Sequence, residues 1–155
     1  GNEEIFGGWG FSIGDQGGAA YLGKLTVKHL ITQIECYGQA TSRLAISISG
    51  QVGSNRPQIL SWLNKATAYD YGQLAPLVTQ LLAKCPEAKL VFDKHISYVE
   101  QLIIDAQGQT ALPVTMIGGL AEVSKKHLTS QLKNQVLPAQ GTSLDGALVL
   151  ALAAL

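Results

Sequence analysis

The chain has 155 residues, with 11 basic and 11 acidic side chains, so its formal net charge is zero and only 14% of its residues are charged. So even and sparse a charge excludes an electrostatic nucleic-acid binder and a basic membrane-surface protein. The hydrophobic fraction of 46% is that of an ordinary globular domain, and the length is enough to bury a sizeable core.

Residues 5–14 read as a strand, because Phe11 and Ile13 alternate around the small Ser12. Gly14, Gly17 and Gly18 then turn the chain sharply and leave the backbone open to close approach by a ligand. Asp15 is the only charged group between Glu4 and Lys24. Its carboxylate is placed either to accept hydrogen bonds from ligand hydroxyls or to cap the following helix. That helix is predicted over Ala19 to Tyr37, from apolar residues near helical spacing (Tyr21, Leu22, Leu25, Leu30, Ile34), with Gly38 as its stop. Its positive end faces the glycine turn, a field that favours anions and polar oxygens.

Leu44 to Ser49 alternates like a strand. Gly50 to Pro57 reads as a loop, and Pro57 suits the first turn of a short helix over 58–65. Asp70 is a candidate cap for a helix that buries Tyr71, Leu74, Leu77, Val78, Leu81 and Leu82. Pro86 opens a long helix to about Ala106, ended by Gly108. Leu112 to Ile117 reads as a short buried strand broken by Gly118 and Gly119, and Leu120 to Leu132 returns to helical spacing. The strand, Gly-Gly, helix order lets a nucleotide lie against backbone at the carboxyl end of a strand in an open α/β sheet; the same glycines also serve packing alone in many such turns. A last helix runs from Ser143 to the end, its apolar side directed to the sheet. With no repeat, low-complexity segment or linker, one domain over residues 1–155 is expected.

Cys36 and Cys85 fit no metal-ligand spacing, which predicts two buried free thiols in a reducing compartment. His29, His95 and His127 form no i,i+4 pair, so surface or helix-face positions are expected for them, and no metal site. The longest apolar run, Ala147 to Leu155, is too short to span a bilayer, and the acidic, glycine-rich start is no secretory signal. A soluble cytoplasmic protein follows as the expectation, with no nucleic-acid or membrane partner.

Gly7-Gly8-Trp9-Gly10, three residues, then Gly14-Asp15-Gln16-Gly17 resembles the sugar-site signature of the N-acetylglucosamine and glucosamine kinases, in the BadF/BadG/BcrA/BcrD ATPase family of the actin–hexokinase superfamily. Ile117-Gly118-Gly119-Leu120 and Asp145-Gly146-Ala147-Leu148 extend the likeness over almost the whole chain. The resemblance implies an α/β fold, the helix-rich and incomplete C-terminal lobe of an actin/hexokinase-like (ribonuclease H-like) ATPase. It implies a helix over residues 44–49. It also implies sugar contacts from Gly8, Trp9, Gly10 and Asp15, and adenosine contacts from Gly118, Gly119 and Ala75, with ATP and Mg²⁺ as cofactors of the intact kinase. Trp9 has the alternative of plain packing.

The chain departs from the family's pattern in having Gln16 where Glu is common and Gly18 where Ser is common. It also lacks the Asp-Gly-Gly-x-Thr phosphate loop, the catalytic aspartate of the N-terminal lobe and the Gly-Thr-Gly-Ser segment. Asp15 therefore takes the sugar-binding role and not that of general base, and the chain is expected to be half an enzyme, inactive alone. A rival reading is a non-catalytic binding or regulatory module of the same fold. A third, an iron–sulfur ATPase activator, is disfavoured by the cysteine spacing. A lobe without its counterpart would expose apolar surface and a sheet edge, which raises the prospect of a homodimer.

Overall fold

A computed structural model describes residues 4–108, 110 and 112–153. Contacts divide the chain into two compact units, Gly1–Ala106 and Gln107–Leu155. The first is helical throughout, apart from an irregular N-terminal segment. Its elements are α1 (Ala19–Tyr37), α2 (Arg43–Val52), α3 (Arg56–Leu63), α4 (Ala68–Gly72), α5 (Ala75–Leu81) and α6 (Pro86–Gln107), the last residue of α6 falling in the second unit.

Helix α1 is the hub of this unit and packs against α2, α4 and α5. Leu22, Leu30, Leu44, Ile48, Leu74, Val78 and Phe92 are fully buried, each contributing roughly 1.5–3 kcal/mol from apolar burial. The approach of α1 to α4 is set by one residue. A Cβ at Gly23 would lie 2.0 Å from the Tyr71 carbonyl oxygen and 2.6 Å from its carbon, so only glycine permits this crossing. Gly38 closes α1 in the left-handed conformation (φ 73°), its N–H returning to the Ile34 carbonyl.

Short-range polar bonds decide where the other helices begin. Ser42 caps α2 by accepting from the Ala45 N–H, and Ser47 and Ser49 donate back to the Leu44 and Ile46 carbonyls. The alternating pattern of 44–49 is therefore helix, as the resemblance implied, and α2 runs on to Val52 through the start of the expected loop. Asn55 caps α3, which starts at Arg56 with Pro57 in its first turn. The cap of α4 is Thr67 and not Asp70: Asp70 sits three residues on, and its carboxylate accepts from the Thr67 N–H and hydroxyl, both at 2.7 Å. The single helix expected beyond Asp70 is two short ones.

The second unit contains β1 (Val114–Thr115), α7 (Ala121–His127), α8 (Ser130–Lys133), β2 (Val136–Leu137) and α9 (Ser143–Ala153). The strands pair in parallel, Val114 with Val136 and Thr115 with Leu137. The strand predicted over 112–117 shrinks to two residues and is not buried: Leu112 is 56% exposed and Ile117 63%. Pro113 has no N–H to give a ladder, which limits pairing at its start. The helix predicted over 120–132 breaks where Leu128 and Thr129 turn extended (ψ 153° and 150°). Helix α9 forms as expected up to Ala153, its last two residues lying outside the described ones, but none of its residues is buried. Leu144, Leu148, Val149, Leu150 and Leu152 are each at least 60% exposed, so no side of α9 returns to the sheet.

The architecture is thus helix-rich with a small parallel two-stranded sheet. Among the described residues no helix is long and apolar enough to cross a membrane.

Candidate functional site

The segment from Glu4 to Gly18 is a looped strap, not the strand expected over 5–14. Gly7, Gly8 and Gly10 all have positive φ (75°, 69° and 82°), which breaks the extended backbone a ladder requires. The strap turns back at Gly10, whose carbonyl accepts from the N–H of Ile13 at 3.3 Å and of Gly14 at 2.7 Å. This fold-back lays Gly14 on the Trp9 main chain: a Cβ on Gly14 would stand 3.0 Å from the Trp9 amide nitrogen. Trp9 is thereby brought against Gly14, the residue before Asp15.

Asp15 is the one non-glycine residue with positive φ (59°) among the described residues. Its carbonyl accepts from the Gly18 N–H at 2.9 Å, which leads the chain into α1. The cap of α1 is Gly18, with no side-chain cap bond, so Asp15 does not cap the helix. Of the two roles the sequence left open, the capping one is gone; the carboxylate has no hydrogen-bond or ion-pair partner among the described residues. Trp9 is 81% exposed and is not core packing.

Sequence reading missed what holds the strap. Lys24, on the second turn of α1, donates from Nζ to the Phe11 carbonyl and, at 3.4 Å, to that of Ser12. The same ammonium lies 3.9 Å from the centroid of the Phe11 ring. Phe11 in turn packs on Tyr71 (5.0 Å between centroids), and Tyr71 on Trp62 (4.8 Å). Burial raises the Tyr71 pKa above its ordinary 10.0. Trp62 also lines a cleft of about 680 Å³, with Gln51, Gln58, Lys65 and Asp70, between the end of α2 and α3. The signal available in the sequence was Lys24 itself, a cation near the positive end of a long helix.

The residues assigned to adenosine are divided between the two units. Ala75 opens α5 in the first unit and is 2% exposed, so its methyl belongs to the core. Gly118 and Gly119 follow β1 in the second unit. Gly118 has φ 103°, and a Cβ at either position would meet nothing within 4 Å. Packing is therefore not why these two residues are glycine. Asp145 forms a capping box at the start of α9, accepting from the Thr142 N–H and hydroxyl at 2.7 Å; these bonds, the backbone one first, hold its carboxyl below the ordinary range.

Of the two cysteines, neither forms a disulfide; Cys85 is buried as expected, whereas Cys36 is exposed. His95, expected at a surface or helix face, is fully buried. Among the described residues no group of three or more His, Cys, Asp or Glu could hold a metal ion.

Comparison with known proteins bears on this arrangement. A crystal structure of a Chromobacterium violaceum protein provisionally named an N-acetylglucosamine kinase superposes with a TM-score of 0.84 at 27% identity, over 97% of this chain and 52% of that one. The chain is similar to amino-sugar kinases. The glucosamine kinase of Vibrio cholerae is 22% identical over 152 residues, 97% of this chain and 51% of its own. An uncharacterised Caenorhabditis elegans protein is 30% identical over 134 residues, 81% of this chain and 41% of its own. The chain spans about half the length of the relatives it matches. No family model matches it.

Proposed function

We propose that this chain is the C-terminal lobe of an ATP-dependent amino-sugar kinase of the actin/hexokinase-like fold. The observation that carries the reading is Asp15: a carboxylate held on a left-handed turn directly after Gly14, which packs on Trp9, with no partner in the described structure, on a chain similar to kinases of glucosamine and N-acetylglucosamine. Gly8, Trp9 and Gly10 supply exposed backbone and an indole for a sugar ring, and Asp15 orients its hydroxyls through charge-assisted hydrogen bonds. Gly118 and Gly119 offer bare backbone to the adenosine. Ala75, enclosed in the core, is left out of this assignment.

Phosphoryl transfer is mostly positioning and charge stabilisation. The chain's part is to bind and orient the sugar and the nucleoside. Its described residues offer Mg²⁺ no cluster of ligands, so no step is assigned to the metal on this lobe. The base that deprotonates the sugar hydroxyl belongs to the other half of the kinase.

Calorimetric titration with glucosamine, N-acetylglucosamine and glucose tests the reading. One amino sugar should bind, glucose more weakly, and Asp15→Asn should reduce the affinity about 10- to 100-fold, the effect of losing a hydrogen bond to a charged group (roughly 1.5–3 kcal/mol). Circular dichroism would confirm that the variant is folded. Equal affinity in Asp15→Asn, or turnover by the chain alone, would overturn the proposal.

A non-catalytic sugar-binding module is the second reading. It is favoured by Gln16 and Gly18, which remove a charge and a hydroxyl that the kinases' signature commonly carries, Gly18 leaving α1 with no side-chain cap.

A further inference from the structure

The strap that carries Asp15 has little of its own to keep its shape. Across residues 4–18 only three internal backbone hydrogen bonds form: Ile13 to Gly10, Gly14 to Gly10 and Gly18 to Asp15. Four of these residues, Gly7, Gly8, Gly10 and Asp15, adopt positive φ, and the glycines would lose most conformational freedom on ordering. A ligand site needs its backbone fixed before the ligand arrives, since ordering on binding subtracts from affinity.

We infer that Lys24 is the positioning residue of this site. It reaches back from α1 to bind the Phe11 and Ser12 carbonyls and so holds the loop from Gly8 to Asp15 in its binding shape. Three observations converge on it. The ammonium takes two consecutive carbonyls, which fixes the orientation of the intervening peptide rather than a single atom. It also covers the Phe11 ring at 3.9 Å, and Phe11 is the residue that anchors the strap to Tyr71. And it stands in the N-terminal half of a 19-residue helix, away from the C-terminal end that favours cations, so its charge is satisfied by the strap's carbonyls and ring and not by the helix. The inference rests on the sugar reading of Asp15 and adds the element that organises that site.

The test uses the full chain and two variants. Lys24→Met keeps the aliphatic stem on Phe11 and removes the donors; Lys24→Arg keeps donors and charge. Amide hydrogen exchange at Gly14, whose N–H bonds to Gly10, reads the loop directly, and titration with glucosamine reads the site. Lys24→Met should speed Gly14 exchange at least tenfold and weaken glucosamine binding about tenfold, without lowering the global unfolding midpoint in proportion, and Lys24→Arg should restore both. Unchanged Gly14 exchange in Lys24→Met would overturn the positioning role. Faster exchange with unchanged glucosamine affinity would show the loop to be pinned but not to bind sugar, which would overturn both this inference and the sugar assignment. Absence of binding of both glucosamine and N-acetylglucosamine by the parent chain would overturn the sugar assignment alone, because the exchange arm still reports on the pin.

Discussion

Acidification should expose the energetic position of His95. The imidazole lies on α6, is fully buried, and neither ring nitrogen has a hydrogen-bond partner among the described residues. The Phe92 ring lies 5.6 Å from it, between centroids. Burial lowers its pKa from 6.5 to about 4. The unfolded chain therefore takes up a proton as pH falls through 6.5, while the folded chain resists until about pH 4. Stability is lost across that window and the loss levels off below it. The gap amounts to about 3 kcal/mol in full and about 2 kcal/mol by pH 4.5. The chain's two tryptophans, Trp9 and Trp62, both report on the first unit, so urea unfolding followed by fluorescence measures the relevant stability.

His95→Leu is the comparison. It should be at least as stable as the parent near neutral pH, because it removes two buried polar atoms without partners. The stability difference between the two should then widen by about 2 kcal/mol as pH falls from 7 to 4.5. Other groups titrate in both proteins and cancel. His29 has its pKa lowered by burial, with Glu87 opposing, and the carboxyls of Glu87, Asp70 and Asp145 are held below their ordinary values by hydrogen bonds. A difference that stays constant with pH would refute the reasoning and place a proton acceptor beside the ring.

Gly23→Ala should destabilise the first unit by about 3 kcal/mol, because its methyl would meet main-chain atoms of Tyr71 that cannot rotate away; a loss below about 1 kcal/mol in urea would show that α4 is free to move. Thiol labelling should modify Cys36 at once in the native chain and Cys85, 3% exposed and bonded to Glu87, only on unfolding; equal rates would contradict the burial of Cys85.

Long helices were legible in the sequence because their signals are redundant. Helix α1 begins and ends where periodicity and Gly38 place it, and α6 runs from Pro86 to one residue beyond the expected end. The strap was misread as a strand because Phe11 and Ile13 do alternate; what decides against a strand is the positive φ of three glycines and a lysine from a later turn, and neither is a pattern within the segment. The split of the expected helix after Asp70 turned on which residue caps, and Thr67 and Asp70 are both good candidates for it by composition. At the candidate site, the glycines and Asp15 stood out in the sequence because their types are unusual in a run. Lys24, Tyr71 and Trp62 did not, because each is ordinary by itself and gains its place only from the packing of α1 against α4. His95 was invisible for the same reason: burial of a helix residue depends on what covers it.

The left-handed turn at Asp15 has a consequence for how such a chain can be improved or decay. A side chain at φ 59° costs roughly 1 kcal/mol that glycine would not. A search for greater thermal resistance by directed selection on folding alone would therefore favour glycine at this position and discard the carboxylate. On the sugar-binding reading of Asp15, durability and ligand recognition pull this one codon in opposite directions, so a stabilised descendant of this chain that has glycine at 15 would be a sturdier protein with an emptied site.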